Sequence, residues 1–194
     1  MDYFSSDWHL DHEAVWRFSK RPFEDVEHMN NIILTNMFNP LKRGDNFFFI
    51  GDLSKYSNTV DKIYELAADK KIHFHWILGN HDYKIVKQYH RRDNKWVKIF
   101  DLKEIKRDGQ SIFLSHYPML TWNKSHYNSW LLYGHHHINS HGSEEVERFM
   151  TGKSLNVNCE FHNYHPWTLD EIKEYMKSRP NNWDYLDKSE ANVG

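Results

Sequence analysis

A single cysteine, Cys159, excludes an internal disulfide, and a chain of 194 residues does not need one. That length folds as one domain and buries about 70% of the surface its unfolded chain exposes. Long hydrophobic runs are absent: the longest apolar stretches, Phe47–Ile50 and Trp130–Tyr133, are far too short to cross a bilayer. Met1–Asp7 has no basic segment followed by an apolar core, so no secretion signal is expected and the chain is placed in the reducing cytoplasm. Charge of one sign is lacking too. With 25 Lys+Arg against 27 Asp+Glu the formal net charge is −2, which argues against whole-molecule attraction to nucleic acid or an anionic membrane. No repeat, low-complexity tract or Gly/Pro-rich linker divides the chain. Residues 1–180 are therefore expected as one domain, with 181–194 a polar, frayed tail. Histidine is what the chain has in excess, 15 of 194 residues, and imidazole is the commonest protein metal ligand.

Short apolar runs alternate with amphipathic ones. Strands are expected at Tyr3–Ser6, Asn46–Ile50, Ile72–Leu78, Trp130–Tyr133 and Ser154–Val157. Ile99–Lys106 and Ser111–Ser115 read as a hairpin joined through Asp108-Gly109, a pair that accepts the positive φ angles of a tight turn. Helical spacing marks Glu24–Phe38, stopped by Asn39-Pro40, then Thr59–Ala68, and Thr168–Lys177 with Thr168 as N-cap. Strands alternating with helices, then strands in succession, argue for a layered α/β domain.

Five short blocks each follow a strand candidate and carry metal-ligating side chains: Asp7-Trp8-His9, Gly51-Asp52, Gly79-Asn80-His81-Asp82, His116, and Gly134-His135-His136-His137. Carboxylate, imidazole and amide donors without thiolates suit Mn²⁺, Fe²⁺, Co²⁺, Ni²⁺ or Zn²⁺. Two such ions about 3.5–4 Å apart need a bridging carboxylate, and Asp52 fits that place. Asp7, His9 and one C-terminal histidine complete one ion; Asn80, His116 and another complete the second. In an extended segment His135 and His137 point to the same side, which favours them over His136.

These blocks, in this order, resemble the signature of the calcineurin-like metallophosphoesterases: Asp-x-His, Gly-Asp, Gly-Asn-His-Asp/Glu, His and Gly-His-x-His. Arg21-Pro22-Phe23, the stretch His116 to His126, and Leu155-Asn156-Val157 with Tyr164-x-Pro166 look like the small, single-domain bacterial and phage branch. Gly51-Asp52 continues Leu53-Ser54-Lys55-Tyr56, unlike the protein Ser/Thr phosphatases. The resemblance implies a four-layer α/β/β/α sandwich with two mixed β-sheets. It implies one ion, Mn²⁺ foremost, on Asp7, His9, Asp52 and His137, and a second on Asp52, Asn80, His116 and His135. It implies that a hydroxide bridging the ions attacks phosphorus, with His81 as the acid. Asp82 either orients His81 or is an exposed turn carboxylate. Arg21 and His126 become the expected phosphate contacts.

The substrate expected is a small phosphodiester or phosphomonoester, nucleotide-like or an oligonucleotide; a metal-dependent nuclease and a catalytically silent metal-binding module are the alternatives. Tyr117, Trp122, Tyr127 and Trp130 lie near the ligands in sequence and either stack a base or fill the core. Residues 84–107 carry nine Lys/Arg against Asp93, Asp101 and Glu104, a local +6 that either steers a polyanion or is a solvated face. The bulk of Trp8, between two ligands, has no assignable effect from sequence, and oligomeric state is left open.

Overall fold

The computed structural model describes residues 1–88, 94–139, 143–150 and 152–182. Two sheets lie face to face. The first has the order β4-β3-β2-β1-β9, where β1 is Asp2–Ser5, β2 Asn46–Ile50, β3 His73–Ile77, β4 Val97–Phe100 and β9 Trp167–Thr168. Strands β1 to β4 are parallel and β9 runs antiparallel to β1. The second sheet has the order β5-β6-β7-β8, where β5 is Lys103–Arg107, β6 Gln110–Leu114, β7 Trp130–Tyr133 and β8 Ser154–Asn156. Only its β5–β6 pair is antiparallel. The α/β class with two mixed sheets is as expected from sequence.

The apolar runs without alternation are explained by burial on both faces. In β2, Phe47 and Phe49 enter a core shared with helices α2 (Val26–Phe38) and α3 (Ser57–Lys70), while Phe48 and Ile50 enter the core between the sheets. Strand β7 repeats the pattern: Trp130 and Leu132 face the inter-sheet core, Leu131 and Tyr133 an outer cluster with Trp122 and Met150. Helix α6 (Leu169–Lys177) adds Ile172 and Met176 to the inter-sheet core. Its start is secured by a capping box between Thr168 and Glu171. Helix α2 is capped by Asp25, whose carboxylate accepts from the His28 N–H.

Several boundaries differ from the sequence expectation. The Asp108-Gly109 hairpin forms, with φ of 49° and 83° at its two turn residues. Ile99–Lys106, however, is two strands in two sheets: β4 pairs with β3, the chain crosses at Asp101 and Leu102, and β5 begins the second sheet. Short helices α1 (Glu13–Phe18), α4 (Tyr83–Gln88) and α5 (Ser143–Phe149) carry no long periodic pattern that would have announced them. Of the segment expected to fray, Asn182 donates to the Leu120 carbonyl at 2.9 Å, and 183–194 lie outside the described residues.

Trp8, opaque in the sequence, is fully buried. Its indole packs on Phe38, Phe47, Phe49 and Phe74 with ring centroids 4.5–6.2 Å away and donates to Ser5 Oγ at 3.0 Å. His75 takes the inter-sheet side of β3, stacked on Phe48 at 4.5 Å. Burial, with Lys103, His73 and Arg107 nearby, lowers its pKa from 6.5 to about 4. The unfolded chain therefore takes up this proton first, and the folded state should lose stability as pH falls from 6.5 towards 4. His75→Phe should remove up to about 1.4 kcal/mol of that loss per pH unit. Urea unfolding of both proteins at pH 7 and pH 5 measures the difference.

Candidate metal centre

The five blocks converge because each follows the carboxyl end of a strand: β1, β2, β3, β6 and β7. The first two turns run side by side. Asp7 N–H donates to Gly51 O at 2.8 Å, His9 N–H to Asp52 O at 3.0 Å and Leu10 N–H to Leu53 O at 3.0 Å. Asp7, His9 and Asp52 all have left-handed backbone, with φ of 57°, 48° and 62°. That conformation is costly for side-chain-bearing residues and persists where the surroundings impose it. It turns both Asp7 and His9 into the site while Trp8 goes to the core. Glycine is required where the turns touch. At Gly51 (φ +90°) a Cβ would lie 2.3 Å from His116 Nδ1, and at Gly134 it would lie 2.4 Å from Asp7 Oδ2.

Three overlapping groups of donor atoms result, each spanning no more than 4.8 Å: Asp7, His9 and His137; His9, Asp52 and His81; Asp52, His116 and His135. Asp52 stands between the rings, its Oδ2 3.4 Å from both His9 Nε2 and His116 Nε2. Asn80 Oδ1 lies 3.1 Å from His116 Nε2 and 3.1 Å from His135 Nδ1. Asp7 Oδ1 lies 3.9 Å from His9 Nε2 and from His137 Nε2. The seven expected ligands are thus brought together. His135 and His137 reach different groups, but not through extended backbone, since His135 has φ of 74°.

The donor set fits divalent ions. His9 Nε2 is buried and makes no hydrogen bond despite its carboxylate neighbours, an arrangement completed by a cation between them. Burial keeps the His9 imidazole well below its usual range, and burial together with His116 lowers His135 to about 4, so both rings are neutral, as ligands must be. The neighbouring nitrogens are already engaged. His116 Nδ1 donates to Ile50 O at 2.9 Å and His137 Nδ1 to Glu160 Oε1 at 2.7 Å, leaving each Nε2 for the site. Burial pushes Asp7 up, partly offset by His116 and His137. Asp52 is held well below the usual carboxylate range: burial opposes this, and the hydrogen bond and charge of His116, with His9, outweigh it.

Other expectations need correction. Asp82 neither orients His81 nor sits exposed. It is fully buried and accepts from Gly79 N–H (2.8 Å), Asp52 N–H (2.8 Å), Leu53 N–H (2.9 Å) and Trp76 Nε1–H (3.0 Å). Burial and the charge of Asp52 push its pKa to about 6, while those amides pull the other way. Its role is to clamp the Gly51-Asp52 turn. Arg21, expected at a phosphate, is buried, with donors on Glu160 Oε1, Trp8 O and Asp7 O, so it faces the protein. His126 is exposed on a one-turn helix, Ser125–Tyr127, with its ring on Tyr127, and belongs to none of the three groups. Trp122 and Trp130 fill cores, whereas Tyr117 is 44% exposed with its ring 4.9 Å from His135. In the basic segment Arg91, Arg92 and Asp93 lie outside the described residues. Lys98 is on β4 and Lys103, Lys106 and Arg107 are on β5, strands at the edges of their sheets, where charge discourages edge pairing. Glu160 was not legible as a site residue, although Leu155-Asn156-Val157 nearby had stood out.

In the ion-free centre burial lowers the His116 imidazole, but Asp52 and Asp7 outweigh it and raise its pKa to about 9. An entering ion must displace that proton. Mn²⁺ affinity should therefore rise about tenfold per pH unit up to pH about 9 and flatten above it. Calorimetric titration in buffers of different ionisation enthalpy counts the proton released. Gly134→Ala, by driving Asp7 aside, should bind Mn²⁺ more weakly than wild type at every pH, as the same titrations will show.

Comparison with known proteins agrees with this geometry. Residues 3–187 match the family described as Calcineurin-like phosphoesterase. An uncharacterised protein of Methanocaldococcus jannaschii is 32% identical over 175 residues, covering 90% of each chain. The crystal structure of a protein of unknown function from Aquifex aeolicus superposes with a TM-score of 0.67 at 26% identity, covering 90% of this chain and 98% of that one. The family pattern extends across nearly the whole of this chain, and the chain belongs to the calcineurin-like phosphoesterases.

Proposed function

We propose that the protein hydrolyses a small, nucleotide-like phosphodiester or phosphomonoester using two divalent ions, Mn²⁺ foremost. It would act in the cytoplasm as a single domain over residues 1–180, within the small branch of its family. Family membership supports phosphoester hydrolysis and divalent ions. The observation that carries the two-ion reading is Asp52, one carboxylate oxygen equidistant from His9 and His116, which belong to different donor groups. Asp7, His9, Asp52 and His137 would hold one ion; Asp52, Asn80, His116 and His135 the other. Divalent ions bound there supply Lewis-acid activation of water and offset charge on phosphate oxygens.

The chain itself supplies pre-oriented ligands, with neutral rings at His9 and His135, and an exposed imidazole at the rim. The His81 backbone N–H donates to Asp52 Oδ1 at 2.9 Å, which ties the ring's position to the shared carboxylate. Its ring stands 5.1 Å from that of His9 and 5.6 Å from that of His12. There it can hold a proton for a departing alkoxide. His81 also shares a donor group with His9 and Asp52, so a ligand role competes with the acid role. Tyr117, exposed beside His135, offers a face for a flat leaving group.

Hydrolysis of bis(p-nitrophenyl) phosphate by the Mn²⁺-loaded protein, absent after chelation, tests the activity; failure with every divalent ion would favour a silent metal-binding module. His81→Ala should keep its bound metal and lose about 10²–10⁴-fold in kcat on alkyl esters, with a smaller loss on p-nitrophenyl esters. Loss of one ion in that variant would instead make His81 a ligand. A nuclease reading draws on Lys103, which pairs with Leu114 two residues before His116 and so places charge at the site end of β5. It requires kcat/KM on an oligonucleotide to fall steeply with salt, whereas the small-ester reading expects a shallow dependence.

A further inference from the structure

Two segments distant in sequence meet behind one ligand group only. Arg21 follows α1, and Glu160 lies in a one-turn helix, Cys159–His162, beyond β8. Their side chains are 0% and 2% exposed and pair Nε to Oε1 at 2.9 Å. The remaining guanidinium nitrogens reach backbone carbonyls of the first ligand turn: Nη1 donates to Trp8 O at 2.6 Å and Nη2 to Asp7 O at 2.7 Å. Glu160 Oε1 accepts from His137 Nδ1 at 2.7 Å, and Oε2 from the Ile138 N–H at 3.1 Å. One ion pair thus grips the left-handed turn that presents Asp7 and His9 and also sets the ring of His137. The second group has supports of its own, Asp82 on the Asp52 turn and Ile50 O on His116, and touches the first where the His135 N–H donates to Asp7 Oδ2 at 3.0 Å.

We propose that the Arg21–Glu160 pair is a positioning device that acts on the ion position of Asp7, His9 and His137 in preference to that of Asp52, His116 and His135. This rests on the two-ion reading. A carboxylate on the far nitrogen of a ligating histidine fixes its tautomer and orientation, and its loss typically weakens metal affinity about 10–100-fold. Here the same carboxylate is held by a guanidinium that braces the other two ligands, so the three should loosen together.

Two variants test it. Glu160→Gln keeps the side-chain shape but removes the charge facing Arg21 and His137. The double variant Arg21→Met/Glu160→Leu removes both charges, so that no unpaired ion is buried should Glu160→Gln fail to fold. Mn²⁺ titration calorimetry and electron paramagnetic resonance, on proteins shown to be folded by their thermal transitions, give the number and coupling of bound ions. Wild type should bind two ions with a coupled spectrum. The variants should bind one ion about 10–100-fold more weakly and the other with a much smaller loss, with an isolated-ion spectrum and activity restored by excess Mn²⁺. Wild-type affinity for both ions in the folded variants, or equal weakening of both, overturns the proposal. Wild type that binds a single ion defeats the two-ion reading, and positioning then stands or falls on whether Glu160→Gln weakens that ion.

Discussion

Charge taken out of water must be met by fixed partners, and that constraint governs this structure. Asp7, His9, Asp52, Asp82, His116 and His137 are all buried at the ends of two apolar sheets. Such groups persist only when hydrogen bonds or opposite charge replace their lost hydration. Asp82 has three backbone N–H groups and an indole; Arg21 and Glu160 have each other; His116 and His137 each have an acceptor on the nitrogen away from the site. The bare Nε2 of His9 is the conspicuous remainder, and it lies between carboxylates. Satisfied polar groups thus outline the place left for cations.

Much of this could be read from the chain. Strand β2 was legible to the residue because a strand buried on both faces reads as an unbroken apolar run. The clustering of the candidate ligands was legible because aspartate, asparagine and histidine follow such runs. What escaped was long-range. Nothing local says that the chain changes sheets at Asp101 and Leu102, since Ile99 and Ile105 are both apolar and only tertiary pairing separates them. Arg21 looked like a substrate contact because its segment matches the family's pattern, and nothing local marks it as buried. Its partner is 139 residues away. Asp82 looked like a companion of its neighbour His81, whereas a carboxylate in a turn is directed by whichever amides fold over it.

Trp8 shows why the ligand turn can be both strained and rigid. Left-handed backbone on either side of it sends Asp7 and His9 one way and the indole the other, into a cage of Phe38, Phe47, Phe49 and Phe74. The aromatic contacts that hold the indole offset the conformational cost at its neighbours, and the two candidate ligands inherit the stiffness of the core.

Each outer donor group draws on both sheets: Asp7 and His9 follow β1 while His137 follows β7, and Asp52 follows β2 while His116 and His135 follow β6 and β7. A cation seated in either group is consequently a further cross-link between two halves of the sandwich, beside the apolar core and polar contacts such as the Arg107–Asp2 ion pair. Folding stability becomes tied to metal supply, gaining about 2.7 kcal/mol when free ion stands a hundredfold above its dissociation constant. Cells starved of the metal would then hold less of the folded protein, as well as less of its activity.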